Sequence, residues 1–431
     1  MILRVFSITY RLIWLVLTPL VLVYIWHRGR RDPDYRAHLG ERFGHYPDLP
    51  QNGIWIHAVS LGEVRSAVPL ARALLAKGEV IIFTHFTPAG RREAHKVFAD
   101  DIAAGRVASV WVPLDMRWVF GRFFRACRPK MGLTMEIEIW PAMVLSARAK
   151  GVPLYMCNAQ YPSKSLDRDS RNLRLRQKIM GKFAGAFVKS QLQADRFASV
   201  AVPNINITGE LRFDQPIPPA LLTAAEALRP RLTRPVVTFA SAVEGEDDIY
   251  IDAIKTLVSH PHAPLIVYVP RAPERFDTVA EMLRDAGLSV ARRSAVFDAD
   301  LAVTQWPTPL PDVLLGDSLG EMYFYLSLAD RVVVGGGFHP HGAHNIIEPL
   351  AVGKPVVTGP TTYTIEYPFV EAEAAGVVKS VNDANELADV LSGPPWTTDR
   401  DMRAFMAAHS GAADRTARAI FSEIAGRPNS H

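Results

Sequence analysis

The sequence predicts an α/β protein of two successive doubly wound domains behind an apolar N-terminal segment, and three observations carry that prediction. From Gly53 onward, short apolar runs alternate with helical patterns. A proline-rich stretch at residues 214–219 interrupts the alternation, and a second series follows it. Ahead of both, residues 12–26 carry no charged side chain. Apolar runs without polar alternation are what a parallel sheet covered on both faces demands.

The apolar segment comes first along the chain. Its uncharged run would extend about 22 Å as helix, short of the roughly 30 Å hydrocarbon core of a bilayer. Extended back to Val5, with Arg11 snorkelling, it becomes long enough to cross, and Pro19 is positioned to kink it. No small-residue cleavage site follows, so an anchor fits better than a removed signal peptide. A helix lying on the membrane, or buried in the protein, is the alternative. Arg28, Arg30, Arg31 and Arg36 follow the segment against Arg4 before it. By the positive-inside rule the body is expected on the cytoplasmic side of the membrane. If the segment is only a tether, removing residues 1–30 should leave a soluble, active protein.

Strands are expected at 54–58, 80–84, 108–112, 131–134, 152–157, 184–188 and 205–208, with amphipathic helices at 64–76 and 89–98 among them. Beyond the linker they are expected at 236–240, 265–269, 289–291, 313–315, 331–334 and 355–357, and residues 400–424 have a helical pattern. The domains are therefore 1–31 (anchor or interfacial helix), 32–213 and 214–431. Two Rossmann-like domains of similar size facing a cleft are the GT-B plan of many glycosyltransferases, with ligands beyond the carboxyl ends of the strands.

Composition narrows the function. Only two cysteines occur, Cys127 and Cys157, far apart, which argues against a disulfide framework or a zinc site. Residues 1–213 hold 31 Lys and Arg against 16 Asp and Glu, a balance of +15, whereas the remainder holds 17 against 28, a balance of −11. A basic half facing an anionic partner follows. No basic-aromatic nucleic-acid module is present, so a phosphate-rich membrane surface is the expected partner and nucleic acid is not.

Several strings then stand at strand ends. His57-Ala58-Val59-Ser60-Leu61-Gly62-Glu63 joins the first strand to its helix; Gly62 permits a tight approach, and Glu63 could accept a substrate proton or simply cap the helix. Glu136-Ile137-Glu138-Ile139-Trp140-Pro141 puts two acids beyond another strand. Gly209-Glu210-Leu211-Arg212-Phe213-Asp214 offers a guanidinium for negative charge between the domains, or for an interdomain salt bridge. Arg271 follows Pro270 at a strand end, where it suits a donor phosphate. Gly335-Gly336-Gly337 and the string from His341 to Pro349 precede a helix, where backbone N–H groups favour an anion and Glu348 suits ribose hydroxyls. His339, His341 and His344 lack the carboxylate or thiolate spacing of a metal site. A basic helix is expected at 168–182, with Arg171, Arg174 and Arg176 as candidates to hold an acceptor's phosphates.

In this order, and with Leu39-Gly40-Glu41-Arg42-Phe43-Gly44 and Gly316-Asp317-Ser318-Leu319-Gly320-Glu321-Met322 among them, these strings resemble the 3-deoxy-D-manno-octulosonic acid (Kdo) transferase family along nearly the whole chain. The resemblance implies a metal-independent inverting GT-B enzyme of lipopolysaccharide biosynthesis. It implies CMP-Kdo as donor, a lipid A precursor (lipid IVA) as acceptor, and no cofactor beyond the donor. It implies that Glu63 accepts the proton and that Glu136 and Arg212 stabilise the transition state. Pro270, Arg271, Gly320, Glu321, Met322, Asn345, Ile346, Ile347 and Glu348 match its CMP-binding positions. The sequence departs from the family pattern at Gln160, Glu210, Ala242, Val243, Ala272 and Ala343, and Arg212 stands where Lys is usual. A transferase or epimerase using another nucleotide sugar, and a non-catalytic lipid-binding paralogue, are the competing readings.

Overall fold

A computed structural model describes residues 2–46, 48–171 and 173–426. The chain forms two compact units, one comprising Met1–Gln215 with Ser410–His431, the other Pro216–His409. The first unit holds β1 (Ile54–His57), β2 (Ile81–His85), β3 (Val107–Trp111), β4 (Met131–Met135), β5 (Leu154–Ala159), β6 (Gly185–Val188) and β7 (Ile205–Ile207). They pair in parallel in the order β3-β2-β1-β4-β5-β6-β7. The second unit holds β8 (Val236–Ala242), β9 (Leu265–Pro270), β10 (Val290–Arg292), β11 (Val313–Leu315), β12 (Arg331–Val334), β13 (Val356–Thr358) and β14 (Val378–Ser380). Its order is β10-β11-β9-β8-β12-β13-β14, again all parallel. This is the GT-B pair of doubly wound sheets.

Strand order reverses between β1 and β4 in one sheet and between β8 and β12 in the other. At such a switch point the connections leave in opposite directions and open a crevice beyond the carboxyl ends. Every residue of β1, β2, β4 and β5 is buried, the physical reason that their sequences read as unbroken apolar runs. Val64, Leu70 and Leu74 of helix Leu61–Ala76 cover one face of the first sheet. Phe120, Phe123 and Phe124 cover the other, meeting Trp55 of β1. Trp55 leaves no room beside it: a Cβ on Gly132 would sit 2.5 Å from its ring.

Three expectations need correction. β14 escaped the sequence pattern because its three residues, Val378, Lys379 and Ser380, include only one that is buried. The second domain does not run to residue 431. The helical stretch breaks at Gly411 (φ +82°) into Asp399–His409 and Ala412–Ala425. The latter belongs to the first unit, where Ala412, Ala413, Ala417 and Ile420 join Val64 and Leu70 in one core. Asp214 holds its start, accepting the N–H groups of Gly411 at 2.6 Å and Ala413 at 2.7 Å. The expected basic helix is instead two short helices, Ser163–Asp169 and Leu175–Met180, with Arg174 in the left-handed region at φ +50° between them.

The N-terminal segment is one helix, Ile2–Arg28, which continues through Pro19. Residues 5–28 are long and apolar enough to cross a bilayer. One stripe of the helix nevertheless packs on the first unit. Leu3 and Phe6 join the cluster around Trp55, Trp14 and Val21 cover Leu114, Met116 and Val119, and Ile25 is buried. The opposite face, with Leu12, Leu15, Val16, Leu20 and Val23, stays open, Val16 being 72% exposed. Deleting residues 2–28 is therefore expected to lower the melting temperature by several degrees, because each partly covered apolar side chain contributes about 1–2 kcal/mol. Thermal unfolding of both proteins in the same detergent checks this, and an unchanged melting temperature would make the helix a mere tether.

Candidate active site

The first site cluster lies at the β1/β4 switch point. Glu63 is the third residue of helix Leu61–Ala76, and the Ser60 hydroxyl caps that helix by accepting the Glu63 N–H at 3.4 Å. The Glu63 carboxylate reaches back, accepting the Val59 N–H at 2.8 Å and the Ser60 hydroxyl at 3.2 Å. This is a variant of the capping box in which the return bond goes to the residue before the cap, so the capping role is real. A surface capping glutamate would stay an ordinary acid; Glu63 does not. It is 8% exposed, and burial, with repulsion from Glu136 and Glu138, pushes its carboxyl up to about 8. The box holds the carboxylate still, and its surroundings make it a base of near-neutral strength. Beside it, a Cβ on Gly62 would meet nothing within 4 Å, so this glycine leaves open space over the first helical turn instead of serving a close contact.

Glu136 is the first residue past β4 and sits in the left-handed region at φ +56°, a conformation that costs a non-glycine residue roughly 1–3 kcal/mol and clusters at functional sites. Its carboxylate pairs with Arg212 at 2.7 Å. Arg212 also donates from Nε to the Ser66 hydroxyl at 2.9 Å, three residues past Glu63 on the same helical face. The salt bridge is thus made inside the first unit. The turn that presents Arg212, Leu211–Asp214, is built around Glu210, which is 1% exposed. Glu210 accepts Lys189 Nζ at 2.5 Å, Asn158 Nδ2 at 2.7 Å and the Arg212 N–H at 3.2 Å. Burial alone would raise its pKa, but the charges of Lys189 and Arg212 hold it below the ordinary value. Glu138 accepts the Trp140 indole N–H at 2.7 Å, and the Trp140 ring meets His57 edge-on at 5.2 Å. Burial takes His57 down to about 4, leaving it neutral.

The second cluster lies at the β8/β12 switch point. Arg271, exposed just past β9, is anchored by its N–H to the Ala242 carbonyl at 2.9 Å. His344 is taken down to about 4 by burial and then by the Arg271 charge, so the two are neighbours. The three glycines do not form an open anion cradle. The buried carboxylate of Glu246 accepts the N–H groups of Gly336 at 2.7 Å and Phe338 at 2.8 Å. A Cβ on Gly335 would lie 2.3 Å from the Ser241 carbonyl, which requires glycine there. Asn345 accepts the Ile347 N–H at 3.0 Å and opens the short helix Ile347–Ala351. Among the described residues no group of three or more His, Cys, Asp or Glu is arranged to hold a metal.

Comparison with known proteins interprets these two clusters. Residues 37–215 match the family model described as 3-Deoxy-D-manno-octulosonic-acid transferase (kdotransferase). The 3-deoxy-D-manno-octulosonic acid transferase of Bordetella pertussis is 37% identical over 94% of this chain and 96% of its own. The protein of that name from Haemophilus influenzae is 32% identical over 88% of each chain. The chain belongs to the Kdo transferase family. It is a glycosyltransferase, and the epimerase and non-catalytic readings fall away. A solved glycosyltransferase from Rickettsia africae, 13% identical, shares the fold at a TM-score of 0.58 over 88% of this chain and 100% of its own.

Within this Kdo transferase, the expected catalytic trio of Glu63, Glu136 and Arg212 falls in one unit, Arg212 bonding both to Glu136 and to Ser66 on the helix that carries Glu63. The expected donor positions divide. Ile346 and Ile347 are core side chains that can offer only backbone, and Glu321 is held by Arg293 at 2.6 Å and Ser318 at 2.5 Å. Gly320 (φ +84°) turns the chain into helix Met322–Leu328, whose first residue, Met322, packs beside the core. Pro270 ends β9. Arg271, Asn345 and Glu348 remain as side chains for a donor, with Glu348 acting electrostatically on Tyr323. Arg171 and Arg174 are exposed, whereas Arg176 pairs with Asp169 at 3.3 Å and donates to the Ile137 carbonyl at 3.4 Å. Sequence reasoning missed Ser66, Lys189, Asn158 and Glu246. Glu246 lies three residues past the departing Val243 and Asn158 two before the departing Gln160; no motif signalled Lys189. The departures at Glu210 and Gln160 prove to be connected, since Lys189 also donates to Gln160 at 3.4 Å.

Proposed function

We propose that the transferase moves Kdo from CMP-Kdo to a hydroxyl of a lipid A precursor, lipid IVA, with inversion at the anomeric carbon and without a metal or other cofactor. The observation that carries this reading is Glu63, a buried and immobilised carboxylate raised to about 8 beside the Glu136–Arg212 pair. Glu63 takes the acceptor hydroxyl's proton as that oxygen bonds to the anomeric carbon. The bond from that carbon to the phosphate oxygen breaks, and CMP leaves with the electron pair. Arg212, paired with Glu136, stabilises the charge developing in the transition state, and preorganised donors of this kind are often the largest catalytic contribution. Arg271 and backbone N–H groups near Asn345 meet the phosphate, while Glu348 takes the ribose hydroxyls.

The N-terminal helix lies in the cytoplasmic face of the inner membrane in this reading, its open apolar face in the lipid and its packed stripe on the first unit. A helix packed along its length on its own domain supports this arrangement better than a free crossing. Arg171 and Arg174, exposed and basic, are placed to receive the acceptor's phosphates.

Release of CMP from CMP-Kdo, measured with and without lipid IVA in phospholipid vesicles, tests the reading: release is expected only with the acceptor present. Activity is expected to persist in excess EDTA, because Arg271 supplies the positive charge. Complete loss restored by magnesium would assign that role to a metal.

A further inference from the structure

The loop carrying the site's acids, residues 136–140, is pinned at three points. Its first residue donates its N–H to the Cys157 carbonyl at 2.8 Å. Its middle is held through the Ile137 carbonyl by Arg176 at 3.4 Å. Its last residue, Trp140, begins helix Pro141–Ala149 but offers no side-chain cap, and Pro141 has no N–H to satisfy. The orphan donors there are Ala142 and Met143. Both are taken by Asp115, which accepts the Ala142 N–H at 3.1 Å and the Met143 N–H at 2.8 Å. Asp115 lies beyond β3 and is 2% exposed. Its remaining partner is the hydroxyl of Tyr10, which donates to it at 2.6 Å from the N-terminal helix. A cavity of about 150 Å³, lined by Tyr10, Trp14, Asp115, Trp118, Pro141 and Leu145 among others, adjoins this contact.

The contact has a physical consequence. An ionised carboxylate at a helix N-terminus is favoured by the macrodipole and by its N–H partners, but once buried it needs all its acceptor capacity met. Without the Tyr10 hydroxyl, Asp115 would hold the helix start less firmly. The Trp140 end of the acid loop would then be free to shift.

We propose that Tyr10 is a positioning residue for the catalytic acids: through Asp115 it fixes the helix that ends the Glu136–Trp140 loop, so seating the N-terminal helix completes the active site. This rests on the transferase reading for its catalytic consequence. It goes beyond anchoring, because the helix that meets the membrane also sets the geometry of the loop.

The test uses the full chain in phospholipid nanodiscs, with Tyr10→Phe, Asp115→Asn, the double variant, and Tyr24→Phe as a control on the open part of the same helix. Two readouts are taken, amide exchange at Ala142 and Met143, and steady-state kinetics of CMP release. Tyr10→Phe is expected to speed exchange at both amides by about tenfold and to lower kcat by a similar factor, below the roughly 100-fold that a full ångström of misplacement can cost. The donor KM should stay within about twofold, since the donor residues lie in the other unit, a split that general destabilisation would not produce. The double variant should be no worse than Asp115→Asn, because the two residues act through one contact. Tyr24→Phe should behave as wild type. Unchanged exchange and kcat in Tyr10→Phe would overturn the proposal, as would losses that add in full in the double variant. Tyr10→Phe removes one oxygen and keeps the ring, so it decides the matter even if Asp115→Asn fails to fold. Faster exchange in Tyr10→Phe with no CMP release by the wild type would uphold the coupling and overturn the transferase assignment instead.

Discussion

Glu63→Gln is expected to abolish transfer while leaving the protein folded and CMP binding intact. The amide has the carboxylate's shape, and its oxygen can still accept the Val59 N–H that the carboxylate now accepts at 2.8 Å. It cannot take a proton, and loss of a positioned base costs about 10²–10⁴-fold in rate. The wild-type kcat/KM should climb with pH and level off above about 8, where burial and the neighbouring acids place the Glu63 carboxyl. That limb should be missing from the variant's residual activity. Stability moves the opposite way. A carboxyl whose pKa rises on folding binds its proton more tightly in the native state, so the wild type loses stability as pH rises from the ordinary carboxylate range towards 8. Glu63→Gln lacks that loss and should melt higher than wild type at pH 9. Activity within a few-fold of wild type would remove Glu63 from the base role.

Arg212→Ala should lower kcat by about 10²–10³-fold, the loss typical of removing one preorganised charge donor from a transition state. It takes from Glu136 the guanidinium now paired with it at 2.7 Å, and removes the donor to the Ser66 hydroxyl, which still donates to the Gly62 carbonyl at 2.9 Å. Arg212→Lys keeps the charge but presents a point donor in place of a planar fork, so it cannot reproduce both contacts with the same geometry. It should recover most of the rate, within about tenfold of wild type on the same scale of lost hydrogen bonds. The donor KM should hardly move in either variant, because the residues proposed to hold the donor lie in the second unit. A raised donor KM with unchanged kcat would instead make Arg212 a donor-binding residue.

Among the described residues, thirteen of the fourteen strands were visible in the amino-acid order. A parallel strand buried on both faces must be apolar throughout, and that requirement is local and periodic. The candidate site residues were visible for a related reason. In doubly wound sheets function gathers at the carboxyl ends of strands, so polar strings such as His57–Glu63 and Glu136–Trp140 mark themselves by interrupting apolar runs. The same sequence placed two acids and an arginine near a site without saying what they do to each other. Only the tertiary structure pairs Arg212 with Ser66, 146 residues away, and Glu246 with Gly336, 90 residues away. It alone balances the unusual Glu210 with Lys189, returns the Ala412–Ala425 helix to the first unit, and turns one stripe of the N-terminal helix onto that unit. These decisions rest on hydrogen bonds and burial between residues distant in the chain. Such contacts follow from how elements pack, and packing leaves no period in the sequence.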